Sequence, residues 1–158
     1  MKLSLSEDSV LVRETFERFF AAESTSARVR AAEPVGFDAK LWRDLVALDA
    51  PFMRATSAEE GGFTLFDACL VMEEAGRRLA PAPLAEAVAA LGVLGAVGGE
   101  AAERWIETVR GGDAVLTLAL KEARPGAAQL VPGAAAAKGV LTFDGTSLAI
   151  ETLEQPAP

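Results

Sequence analysis

Histidine and tyrosine are absent from this 158-residue chain, and cysteine occurs once, at Cys69. Without histidine the chain lacks the side chain most often used as general acid or base near neutral pH. Ser-His-Asp triads, Cys-His pairs and histidine-containing metal sites are excluded with it. One cysteine allows no intrachain disulfide, which fits a reducing cytoplasm. Basic residues are outnumbered, 15 against 23 acidic ones, leaving a net charge of −8. Phosphate backbones need clustered cations, so nucleic acid is a poor partner, and charge alone attracts no anionic membrane. The longest weakly polar stretch, 87–99, is too short to cross a bilayer. The first residues carry Glu7 and Asp8 and no apolar secretory core. What remains for chemistry is carboxylates, Lys121 or Lys138, or a bound cofactor.

What is present is a globular composition, 51% hydrophobic and 24% charged. The spacing of Leu5, Ser9, Val12, Phe16 and Phe19 predicts a helix over 6–22, with Ser6 as its N-cap. Residues 24–36 read as a connector broken by Pro34 and Gly36. Leu41, Leu45 and Leu48 predict a second helix over 38–48, stopped by Pro51. A loop follows, ending in the Gly61-Gly62 pair, which reads as a tight turn with unusual backbone angles. A third helix over 65–79 carries the stripe Leu65, Cys69, Met72, Gly76 and Leu79, expected to face the core. Its pairs Glu73–Arg77 and Glu74–Arg78 have i,i+4 spacing. An Ala-, Leu- and Gly-rich helix over 84–97 reads as buried and closely approached. A short amphipathic one over 100–109 ends at Gly111-Gly112.

Beyond Gly112 the pattern changes to strands, at 114–120, 139–143 and 148–153, the last two joined by an Asp144-Gly145 hairpin signal. The tail from Gln155 reads as a linker. The expectation is a mainly α protein, with a helical domain over 1–112 and the start of an incomplete β-domain over 113–158. So few strands cannot close a barrel alone.

Four stretches give the chain a resemblance. Leu5-Ser6-Glu7-Asp8 leads into a helix with Arg13 and two phenylalanines. Leu41-Trp42-Arg43-Asp44-Leu45 precedes a short apolar turn. Ala58-Glu59-Glu60-Gly61-Gly62-Phe63 is followed by Met72-Glu73-Glu74-Ala75-Gly76-Arg77 and then by Ala80-Pro81-Ala82-Pro83-Leu84. Gly111-Gly112-Asp113 comes before Leu116-Thr117-Leu118-Ala119-Leu120-Lys121-Glu122-Ala123. In this order they resemble the N-terminal helical domain and first β-strand of the acyl-CoA dehydrogenases, with the steroid-type heteromeric branch nearest in the Ala-Pro-Ala-Pro stretch.

The resemblance implies a protein of lipid or steroid catabolism that binds FAD, acts on an acyl-CoA and passes electrons to an electron-transfer flavoprotein-type acceptor. It also implies a homo- or hetero-oligomer. Family members remove an α-proton with a carboxylate while the β-hydrogen leaves as hydride to flavin N5. The catalytic glutamate comes from a C-terminal bundle, so no catalytic base is matched here. Carry-over is confined to Leu118, Leu120 and Lys121, whose counterparts line the flavin. The family's threonine is here Lys121, its proline Ala123, and its later small polar residue is nearest Ala127. Those departures suit a non-catalytic structural subunit. An unrelated helical interaction domain is the remaining alternative. Cys69, Trp42 and Trp105 read as core residues, Glu59-Glu60 as a solvated loop, and the Gly92, Gly95 and Gly98 rhythm lacks the Gly-Lys-Ser/Thr of a phosphate loop.

Overall fold

The computed structural model describes residues 4–56 and 60–153. Helix α1 (Glu7–Glu23) starts at Ser6, whose side chain accepts from the Ser9 amide. It is followed by α2 (Ser26–Ala32), α3 (Ala39–Ala47), a 3-10 turn (Ala50–Phe52), α4 (Leu65–Arg77), α5 (Leu84–Val97) and α6 (Glu100–Arg110). Three strands come last, β1 (Leu116–Leu118), β2 (Gly139–Phe143) and β3 (Leu148–Thr152), in the order β1-β2-β3. β1 runs parallel to β2, with Leu116 opposite Gly139, and β2 runs antiparallel to β3, with Leu141 opposite Ile150.

The segment expected to be a connector contains α2. No apolar stripe announces it. Thr25 caps it, and Arg28 fastens it by bonding Glu23 at 2.7 Å and Asp38 at 2.8 Å. A salt-bridged helix of this kind leaves no hydrophobic period to read.

Two clusters of buried side chains share α3 and α5. Phe16, Phe20, Leu41, Leu45, Val71 and Val88 form one, between α1, α3, α4 and α5. Trp42, Val46, Leu91, Val109, Leu116 and Leu141 belong to the other, which crosses from helices to sheet. The Trp42 indole donates to Ala114 O at 3.0 Å, tying α3 to the chain entering β1. Trp105 lies over Gly139, where a Cβ would come within 2.4 Å of its ring. A side chain at that position would collide with the indole.

Helix α5 is central because it is small where it must be. A Cβ on Gly95 would sit 1.9 Å from the Ala55 carbonyl oxygen, and one on Gly92 would sit 3.1 Å from Arg54 Cβ. The loop after the 3-10 turn therefore lies directly on α5, as its Gly and Ala content predicts.

The third helix differs from expectation in its orientation. Its buried residues are Ala68, Leu70, Val71 and Glu74. Leu65 is 67% exposed, Leu79 is 72% exposed and Cys69 is exposed. The stripe read as core instead faces largely outward. Glu74 also pairs with Arg77, at 3.4 Å, rather than with Arg78.

Candidate functional site

The outward stripe of α4 and one strip of α5 make an apolar groove of about 400 Å³. Leu65, Cys69 and Met72 form one wall, Ala85, Ala89 and Val93 the other. Among the described residues, Arg54 is the one charged residue that lines it. Its guanidinium donates to the Phe63 carbonyl and so ties the groove lining to the residue that follows the Gly61-Gly62 turn. Gly61 has φ +91°, the left-handed geometry that its sequence implies, while Glu59 of the adjoining acidic pair lies outside the described residues.

The groove wall is fixed at its start. Thr64 and Asp67 form a reciprocal capping box on α4, and the Ser9 hydroxyl donates to Asp67 Oδ1 at 2.7 Å. Burial works against the Asp67 charge, but hydrogen bonds from Thr64 and Ser9 outweigh it and hold the carboxyl below its ordinary range. Its role is to pin α4 to α1, away from the groove interior. No carboxylate lines the groove among the described residues.

The three residues matched to flavin contacts lie at and beyond the end of β1. Leu118 is half-buried and packs on the core shared by helices and sheet. Leu120 is 72% exposed, and Lys121 is exposed beside a cavity it shares with Glu122, Arg124, Ala127 and Gln129. The chain here runs along β2, with Ala119 N donating to Leu141 O and Ala123 N to Phe143 O. Between those anchors the amides of Leu120, Lys121 and Glu122 find no acceptor among the described residues. Gln129 Oε1 is buried without a hydrogen-bond partner.

A flavin offers acceptors along its ring edges, a donor at N3 and an anionic pyrophosphate. Free amides, the Lys121 and Arg124 cations, and one orphaned acceptor match that set. The residues present fit the group, through backbone donors and Lys121 rather than through the Leu118 side chain. Sequence reasoning passed over Arg54, the α5 strip and Gln129. An exposed apolar strip has the same composition as a buried one, and an orphaned acceptor leaves no sequence signal.

Among solved structures, the chain matches a variant of the Tcur3481-Tcur3483 steroid ACAD with a TM-score of 0.74 and 26% identity, over 96% of this chain and 49% of that one. It matches a chain of the ChsE4-ChsE5 complex from Mycobacterium tuberculosis with a TM-score of 0.72 and 22% identity, over 99% of this chain and 50% of that one. The fold is that of the acyl-CoA dehydrogenases. No family model and no curated protein matches the chain. An acyl-CoA dehydrogenase-type helical domain followed by part of a β-domain accounts for every described element. The chain spans about half the length of the solved chains it matches, 49% and 50%. No described helix is long and apolar enough to cross a membrane.

Proposed function

We propose that this chain is the helical and first β portion of a steroid-type acyl-CoA dehydrogenase, and that it supplies one wall of the crevice where an acyl-CoA is oxidised. The observation that carries this reading is the open apolar groove of α4 and α5 beside the Gly61-Gly62 turn. In a chain with this fold, it offers an apolar acyl or steroid body a surface from which water is excluded once the other wall is in place. Residues 1–112 act as the helical domain and 113–158 as the start of the β-domain.

Lys121 and the amides at 120–122 would hold the flavin edge and stabilise negative charge there, and Arg124 would face the phosphates. When bound, FAD supplies the hydride acceptor for the acyl β-carbon. The α-proton needs a carboxylate base, and the groove contributes none, so that group comes from polypeptide outside the described lining.

Two assemblies are consistent with this, and the heteromeric one has specific support. One matched structure is a two-component complex, and the Thr-to-Lys and Pro-to-Ala departures at Lys121 and Ala123 fall in the segment expected to line flavin. The deciding experiment is purification of the chain alone and with candidate partner subunits, followed by visible absorbance and acyl-CoA oxidation assays. The expected result is colourless, inactive protein alone and yellow, active protein in complex. Acyl-CoA oxidation by the chain alone overturns the division of labour. A colourless, inactive product in every combination overturns the dehydrogenase reading.

A further inference from the structure

At the opposite end of α4 from the groove, a second cavity of about 500 Å³ opens between the end of α1, α2 and the last turn of α4. Its walls carry Ser24, Thr25, Ser26, Arg30, Arg77 and Arg78. Its lining holds three arginines and one carboxylate, Glu33, in a chain whose net charge is −8, while Arg78 also borders Glu14 and Glu17 on its far side. Arg77 is engaged by Glu73 and Glu74 on its own helix. Arg30 and Arg78 have no carboxylate within 4.0 Å among the described residues.

The frame around these two guanidinium groups is fixed. Arg28, two residues before Arg30, is clamped between Glu23 and Asp38, which sets α2 against both α1 and α3. The Ser24 hydroxyl donates to Arg78 O at 3.0 Å and joins the two walls. Thr25 Oγ1 accepts from Arg28 N, leaving its proton free to donate. Val29 and Leu79 form an apolar lip, and Leu79 is held at φ 51° with its side chain 72% exposed. Cations at the ends of α2 and α4 suit each helix dipole separately. The dipoles do not explain why both ends converge on one hydroxyl-lined cavity.

We infer that this cavity binds a pyrophosphate group, with Arg30 and Arg78 on the phosphate oxygens and the Thr25 and Ser26 hydroxyls as further donors. The chemistry is shared by free pyrophosphate and by a nucleotide, whose organic part would rest on Val29 and Leu79. The site is independent of the groove and of any flavin.

Titration calorimetry of the purified protein with sodium pyrophosphate and with ADP tests it. Binding of at least one, weakened by added salt and by about tenfold or more in Arg30→Ala and in Arg78→Ala, is the expected result. Tighter binding of ADP assigns the site to nucleotides, and equal binding assigns it to the inorganic anion. Arg78→Gln keeps a polar side chain and is expected to lose binding with an unchanged circular dichroism melt. Arg104→Ala, on α6 and away from the cavity, is expected to leave binding intact. No heat with either probe at low-millimolar concentration overturns the inference. An equal loss in the Arg104 variant does so too, since it would mark binding by surface charge alone.

Discussion

Asp38 caps α3 by accepting from the Leu41 amide at 2.9 Å, and both its oxygens also receive the Arg28 guanidinium. That hydrogen bonding from Arg28 lowers its carboxyl from 3.8 to about 2, against the opposing effect of burial. A carboxyl depressed in the folded state stabilises the fold at pH values above its unfolded range. The contribution is lost as pH falls from about 4 towards 2. Asp38→Asn retains a cap and removes the charge, so its melting temperature is expected to vary less with pH across that interval. Asp38→Ala also loses the cap, at a further cost of about 1 kcal/mol. Thermal melts of the three proteins at stepped acidic pH check both statements. If the two variants melt alike at every pH, the cap contributes nothing.

At the scale of elements, two glycines in neighbouring helices have opposite tasks. Gly95 lets the Ala55 carbonyl rest on α5, and its Cβ would overlap that oxygen, so Gly95→Ala is expected to destabilise by about 1–3 kcal/mol. Gly76 lies in α4 with nothing within 4 Å of a built Cβ. Gly76→Ala therefore gains helix propensity and is expected to stabilise by about 0.5–1 kcal/mol. Denaturant unfolding of the pair gives the two signs directly.

The same helices mark what could be read in advance. The bounds of α5 and the near-bounds of α1, α3, α4, α6 and the strands follow from periodicity, caps and Gly-Pro punctuation. Helix α2 has no hydrophobic period to read because ion pairs to the flanking Glu23 and Asp38 hold it. The face of α4 was misassigned because Leu65, Cys69 and Met72 look like core in sequence while the core takes the smaller Ala68 and Val71. Strand positions were legible, but the parallel pairing of β1 with β2 was not, since register between distant strands leaves no local pattern.

For the molecule as a whole, the uncovered groove is the main fact. A groove of about 400 Å³ lined by Leu, Met, Val and Ala side chains has the size and chemistry of a pocket for a small apolar ligand. Ala89 is exposed on its α5 wall. Ala89→Glu puts a charge into the groove without opening the core, so stability is expected to change by no more than about 0.5 kcal/mol. The apparent affinity of the assembled enzyme for acyl-CoA is expected to fall by tenfold or more, because the carboxylate would meet the apolar body of the substrate. Unchanged affinity would remove the groove from the acyl site.

The arrangement of the three strands also imposes an order in time. β2 and β3 close over residues 144–147 and can meet within microseconds. β1 has no neighbour until residue 139 has been synthesised, and it borrows its floor from α5 meanwhile. During translation the helices are complete before any sheet exists. β1 is thus a solitary strand at first, with α5 as its packing surface, and the sheet is completed only when the later hairpin reaches it.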